Sequence, residues 1–216
     1  MTTTTTALWS FALVAAVLTL TPGLDTALVL RIAALGHRAR AWGVVLGVQT
    51  GVLAWGALTS LGVTALLTAS HLAYEILRWA GAAYMVWMGA QMLRRTFKGG
   101  PAKEAPEALE DTAPATSDSL MAGWRQGTLT NLLNPKVGAV YVSVLPQFLP
   151  AESNHLAMGL LLTSEHILLG LVWSTALIAG ARLLSTWLRR PAARRTLDRL
   201  TGTVIAGFGL RLAFGD

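Results

Sequence analysis

The stretch NLLNPKVGAVYVSVLP, residues 131–146, places a proline and a lysine inside an otherwise apolar run. Pro135 removes a backbone hydrogen bond and pushes the residue before it out of helical geometry. In a water-soluble protein such a run would predict a loop that leads into a strand. In a bilayer it predicts an interrupted helix, and the freed backbone groups and the charge of Lys136 must then be satisfied within the protein.

The composition of the chain favours the bilayer. Of its 216 residues, 53% are hydrophobic and only 13% are charged, whereas soluble domains carry about 25% charged residues. The mean hydropathy is +0.52. A net charge of +6 would suit a nucleic-acid partner, but the basic residues form short clusters between apolar runs, as in the cytoplasmic loops of membrane proteins. We therefore expect a single membrane domain over residues 1–216 that contacts the lipid bilayer and no nucleic acid.

Six segments approach the roughly 20 apolar residues that a membrane-spanning helix needs, and a polar loop is expected at about 94–125, between the third and the fourth. The six segments are residues 7–30, 42–67, 72–93, 127–149, 155–181 and 199–215. The predicted fold class is an all-α integral membrane protein with six transmembrane helices. In the second segment Gly43, Gly47 and Gly51 recur every four residues, which predicts close packing against a neighbouring helix.

The basic residues predict the orientation of the chain. Fourteen of the 17 Lys and Arg residues fall in the first, third and fifth loops, namely Arg31, Arg38, Arg40, Arg94, Arg95, Lys98, Lys103, Arg125, Arg182, Arg189, Arg190, Arg194, Arg195 and Arg199. Cytoplasmic loops carry the excess of Lys and Arg in membrane proteins. These three loops are therefore predicted to be cytoplasmic, and both termini to lie outside.

The two halves of the chain share a faint internal repeat. LTLTPGLDTALVL (18–30) and NLLNPKVGAVYVSVL (131–145) each place a small polar residue, a proline and a short polar patch within an apolar span. With three helices per half, the second half enters the membrane from the opposite side, and matching interrupted helices in inverted halves indicate the binding site of a transporter. The sequence thus predicts two inverted three-helix halves with Pro-broken first and fourth helices.

Asp25 and Lys136 are charged residues beside the two breaks, roughly 9 Å and 15 Å inside the predicted spans at 1.5 Å per residue. A helix that restarts after a break presents unpaired N–H groups, which favour an anion. A zwitterionic amino acid fits this arrangement, with its carboxylate on the helix ends and Lys136 and its ammonium on Asp25. The alternative is that Asp25 and Lys136 pair with each other and hold two helices together.

The polar residues around the breaks complete the candidate substrate site, which consists of Thr21, Pro22, Gly23, Asp25, Asn131, Asn134, Pro135 and Lys136. Thr21 and the two asparagines can bind substrate, but capping the interrupted backbone would use them equally well. Asp25 and Glu165 are the candidate proton carriers. His166, a residue type that titrates near neutrality, is favoured as a structural residue, and Trp173 as a packing residue.

Four segments resemble the LysE/RhtB family of amino-acid exporters, which includes efflux proteins of the homoserine, threonine and lysine type. TPGLDTALVLR (21–31) is similar to the first-helix signature of that family, and GWRQGTLTNLLNPKVGAVYVSVLPQFL (123–149) to its Asn-Pro-Lys segment. LRWAGAAYMVWMGAQMLRR (77–95) and TGTVIAGFGLRLAF (201–214) resemble its third and last helices.

The resemblance implies a six-helix protein of the bacterial inner membrane that exports amino acids or close derivatives, driven by the proton motive force. The residues that match the two family motifs are Pro22, Gly23, Asp25, Asn134, Pro135 and Lys136. Leu24 departs from the pattern, because the family usually has a second proline at this place. We expect a transporter rather than an enzyme, with no cofactor and no metal. The resemblance leaves open whether the protein forms a homo-oligomer.

Two other functions stay open beside the exporter. A divalent-cation exporter of the same superfamily is weakened by the absence of cysteine and by only two acidic residues, Asp25 and Glu165, deep in the predicted spans, because such cations need several ligands. A membrane-embedded enzyme would need a nucleophile with its base or a set of metal ligands. The sequence has no HExxH motif and its four histidines are dispersed. A non-transporting assembly subunit belongs to this second class.

Overall fold

A computed structural model describes residues 2–21, 23–97, 118–150 and 153–181, together with scattered positions between 183 and 210. Within these four ranges the regular structure is helical. The elements are α1 (Thr2–Leu20), α2 (Leu24–Ala34), α3 (Arg38–Ala69), α4 (His71–Phe97), α5 (Leu120–Leu132), α6 (Pro135–Val144), a short 3-10 helix (Leu145–Phe148) and α7 (His155–Ala179). The all-helical prediction is confirmed for this part of the chain.

Helix ends differ from the expected spans where side chains extend a helix beyond its apolar segment. The Ser119 side chain accepts a hydrogen bond from the N–H of Ala122 and so starts α5 seven residues before the expected span. The loop expected over 94–125 is helical at both ends, since α4 continues to Phe97. Residues 98–117, in the middle of that loop, and most of the expected span 199–215 lie outside the described residues.

The first expected span consists of two helices, α1 and α2. The segments Thr4–Leu20 and Leu24–Ala34 are bent by 51° relative to each other. Between them Gly23 has an extended backbone, with φ −136° and ψ −168°, and no side chain caps the start of α2. Pro22 lies outside the described residues.

The fourth expected span also consists of two helices, α5 and α6, with a turn between them. Asn134 precedes α6 and its Oδ1 accepts a hydrogen bond of 3.1 Å from the backbone N–H of Lys136. Pro135 occupies the first turn, where a missing N–H costs no hydrogen bond. The helix therefore restarts with the capping chemistry that its sequence supplies.

Two described helices are long and apolar enough to cross a bilayer. They are Arg38–Ala65 and His155–Ala179, and the bent pair α1–α2 makes a third if it forms one span. The described residues thus contain two or three candidate membrane spans by length and composition.

Helix α3 lies between α5 and α7 and joins two hydrophobic clusters. The first cluster connects α1, α3, α6 and α7 through Phe11, Val52, Tyr141 and Leu162. The second connects α2, α3 and α7 through Val29, Val44 and Leu177. Helix α3 therefore packs against α2 and α6, the helices that follow the two interruptions.

Helices α3 and α5 meet backbone to backbone. A Cβ atom at Gly47 would collide with the carbonyl oxygen of Trp124, and one at Gly127 with the carbonyl oxygen of Val44. Gly43 is in the same situation one turn earlier. The close packing predicted from the glycines of α3 is confirmed at positions 43 and 47, and it fixes the distance between the two helices.

We expect Gly47→Ala to lower the free energy of unfolding by about 1–3 kcal/mol, because its methyl group overlaps the backbone of α5. Thermal unfolding of the purified protein in detergent measures this loss. Gly62→Ala is the matched control on the same helix, since no atom lies within 4 Å of the added Cβ there. Equal melting temperatures for the two variants would contradict the close contact.

Candidate functional site

A cavity of about 110 Å³ lies among the two interrupted helix pairs, α3 and α7. Candidate residues from both breaks line it, namely Thr21, Gly23, Asp25, Asn131, Asn134 and Lys136. Pro22 is outside the described residues, and so is the side chain of Pro135. The fold thus brings together residues that are more than 100 positions apart in the sequence.

A partly buried hydrogen bond connects the two breaks. The Nδ2 group of Asn131, at the end of α5, donates to Oδ2 of Asp25, at the start of α2, over 2.9 Å. Asn131 is completely buried. Gly51 of α3 leaves the space for it, since a Cβ there would come within 2.5 Å of Oδ1 of Asn131. The side chain of this asparagine therefore binds a carboxylate.

Four of the residues that line the cavity have a buried polar atom without a hydrogen-bond partner among the described residues. These atoms are Oγ1 of Thr19, Oδ1 of Asp25, Oδ1 of Asn131 and Nε1 of Trp173. A buried polar atom without a partner costs about 1–3 kcal/mol.

One face of α6 forms a wall of the cavity. Lys136, Val137, Val140 and Tyr141 line it, and these positions share one side of a helix. Lys136 and the N-terminus of α6 therefore lie at the same end of the cavity, and both favour an anion. Since Asp25 also lines the cavity, one chamber presents groups for both an anion and a cation.

One face of α7 forms another wall and contributes residues outside the predicted substrate site. His166, Gly170, Trp173 and Ser174 line the cavity. Trp173 packs against the second hydrophobic cluster, as predicted, and also lines the cavity; its Nε1 is buried without a hydrogen-bond partner among the described residues. The helical spacing of these residues on one face is the signal that relates them. Glu165 is not among the lining residues, although its Oε2 is buried without a partner in the described structure.

Gln49 of α3 also lines the cavity, close to Gly170 of α7. A Cβ at Gly170 would lie 2.8 Å from Nε2 of Gln49. The missing side chain therefore makes room for an amide at the cavity wall. Nothing in the sequence distinguishes Gln49 from a polar residue on an outer face of the helix.

The volume of the cavity limits its ligand to a small molecule. A protein cavity of about 150 Å³ accommodates benzene, and this one measures about 110 Å³. A small amino acid is of this scale, and its ammonium and carboxylate groups match the charged residues on the wall.

The chain matches the model of the LysE type translocator family over residues 16–215. It is 30% identical over 208 residues to the homoserine/homoserine lactone efflux protein of Salmonella typhimurium, covering 95% of this chain and 96% of that protein. It is 30% identical over 210 residues to the threonine efflux protein of Escherichia coli K12, covering 93% and 94%. The membrane protein YrhP of Bacillus subtilis is 26% identical over 201 residues, covering 92% and 94%. No solved structure matches the chain significantly.

We expect Asn131→Ala to lower the free energy of unfolding by about 1–3 kcal/mol, because the buried carboxylate of Asp25 loses its amide donor. Thermal unfolding in detergent measures the change. The double variant Asp25→Ala/Asn131→Ala should be less destabilised than the sum of the two single variants, because no orphaned partner is left behind. Strictly additive losses would show that the two side chains are not coupled.

Proposed function

The chain belongs to the LysE type translocator family, and on that premise we propose that it exports amino acids or close derivatives across the bacterial inner membrane. Relatives that align over almost their whole length carry the names of homoserine, homoserine lactone and threonine efflux proteins. These names support an amino-acid substrate, and they support transport rather than catalysis as the activity.

One observation carries the proposal, namely that Asp25 and Lys136 line the same small cavity. The substrate ammonium lies beside the carboxylate of Asp25, where Oδ1 is buried and has no hydrogen-bond partner within the described residues. The substrate carboxylate lies at the N-terminus of α6, beside Lys136. Asn131 positions Asp25 through its hydrogen bond of 2.9 Å.

The proposed architecture has six transmembrane helices in two inverted halves of three, with Pro-broken first and fourth helices. The interruption between α1 and α2 and the one between α5 and α6 support it, because both adjoin the cavity. Irregular backbone at membrane depth is tolerated where it lines a cavity or is buried in protein. Inverted halves with such interruptions place the substrate near the middle of the bilayer.

The proposed driving force is the proton gradient, with Asp25 and Glu165 as the proton carriers. A carboxylate inside a membrane protein is costly unless it is paired or protonated, and each of these two side chains has a buried oxygen without a partner among the described residues. Asp25 would exchange its proton within the substrate cavity. Glu165 would do so from α7, one residue from the cavity-lining His166.

Transport by purified protein in lipid vesicles loaded with labelled threonine or homoserine tests the function, with a pH gradient imposed across the membrane. We expect Asp25→Asn and Lys136→Met each to lower flux about 10-fold to 100-fold, because each removes a charged hydrogen bond to the substrate worth about 1.5–3 kcal/mol. Asp118→Asn, the same chemical change at an exposed position, should leave flux near the wild-type value.

The combined variant Asp25→Asn/Lys136→Met distinguishes a binding site from a structural pair. If the two charges serve only to hold two helices together, removing both restores transport. If they bind substrate, the combined variant stays inactive. No flux of any tested amino acid through the wild-type protein would refute the exporter. Transport against the substrate gradient that is unchanged when the proton gradient is dissipated would refute proton coupling.

The proposed orientation places both termini outside and the basic loops in the cytoplasm. The chain contains no cysteine, so single cysteines report sidedness without background. We expect Thr4→Cys to react with an impermeant maleimide in intact cells, and Thr112→Cys only after permeabilisation. The reverse pattern of labelling would invert the orientation.

A further inference from the structure

Two side chains, Tyr141 of α6 and His166 of α7, form the wall of the cavity at the end away from the helix breaks. Oη of Tyr141 and Nδ1 of His166 are 2.9 Å apart and hydrogen-bonded. Their rings are stacked at an interplanar angle of 15°, with centroids 5.9 Å apart. Tyr141 lies five residues beyond Lys136, which is about 7 Å along the helix axis.

A second pocket, of about 10 Å³, lies behind this pair. Tyr141 and His166 line both the cavity and this pocket, and so do Leu18 and Val140. The other residues around the pocket are apolar, namely Phe11, Ala15, Val144 and Leu145. The Tyr141–His166 pair is therefore a wall between a polar chamber and an apolar space.

Aromatic packing holds this wall in place. Phe11 of α1 meets the ring of His166 edge-on, with centroids 6.5 Å apart. Phe148 supports Phe11 in the same way at 5.5 Å. Since Tyr141 is itself only 2% exposed, the wall consists of well-packed side chains that a substrate does not displace easily.

We propose that the Tyr141–His166 wall sets the upper size of the substrate side chain. This inference rests on the proposed function, in which the charged groups of the substrate are held at the end of the cavity with Asp25 and Lys136. The substrate side chain then extends along α6 and meets the ring of Tyr141. Small side chains fit in front of the wall, and larger apolar ones would fit only if it opened into the pocket behind.

Shortening the wall should therefore change which amino acid is preferred. We expect Tyr141→Ala to raise the ratio of leucine export to threonine export about 10-fold or more. The reason is that one additional methylene group in an apolar pocket changes substrate discrimination by about 10-fold or more. Tyr141→Leu, which keeps an apolar side chain in the core, should shift the ratio in the same direction by less. Tyr141→Phe keeps the ring and should retain the wild-type preference.

Refilling the space tests whether the new preference depends on the pocket. Ala15 lines only the pocket behind the wall, so Tyr141→Ala/Ala15→Leu should return the leucine-to-threonine ratio towards the wild-type value. Val142→Ala is the control on α6, at a position that is 41% exposed, and should not change the ratio. Stabilisation of each purified variant by leucine and by threonine in thermal unfolding gives a second readout that does not require transport.

The outcomes separate this inference from the proposed function. Suppose that the wild-type protein exports threonine and that the leucine-to-threonine export ratio is unchanged in both Tyr141→Ala and Tyr141→Leu. This result overturns the proposed role of the wall and leaves the exporter proposal standing. Equal export of leucine and threonine by the wild-type protein also overturns the proposed role of the wall. Wild-type protein that neither binds nor exports any amino acid overturns the exporter and the inference together.

Discussion

Backbone N–H and C=O groups freed by a helix break find no water to hydrogen-bond with inside a bilayer, so other groups of the protein must form hydrogen bonds with them. At the second break one asparagine does so, and a second asparagine joins the two breaks. Asn134 caps the restarted helix α6, and Asn131 reaches across to Asp25 beside the first break. The two interruptions are therefore joined to each other, and the cavity lies where they meet. Its polar wall follows from the breaks, and its apolar wall from the helices that cover them.

Much of this arrangement is readable in the sequence because proline acts locally. A proline within an apolar run restricts its own backbone and that of the residue before it, whatever surrounds it. The sequence for that reason predicts an interruption before Pro135, with charged residues beside it, without a structure. Helix ends are less readable, since Ser119 extends α5 by a cap that lies outside the apolar segment.

The walls contributed by α3 and α7 could not be predicted. In a long apolar helix, the face that turns towards a cavity is decided by packing against distant elements and not by the local pattern. Gln49 of α3 reaches the cavity beside Gly170 of α7, and Trp173 lines it three residues further along α7. The sequence shows that these polar groups exist, but not that they share one chamber with Asp25.

The contact between α3 and α5 has a mechanical consequence. Where Gly47 and Gly127 bring two backbones together, no side-chain rotamer is available to absorb a displacement. These helices are therefore expected to move as one rigid unit, with Asn131 carried on it. Any rearrangement that exposes the cavity to alternate sides of the membrane has to occur at interfaces made by side chains. The interface of α2 is one of these, since Val29 and Leu30 contact their neighbours through side chains. The glycines thus distinguish a rigid pair of helices, α3 and α5, from helices such as α2 that can move relative to it.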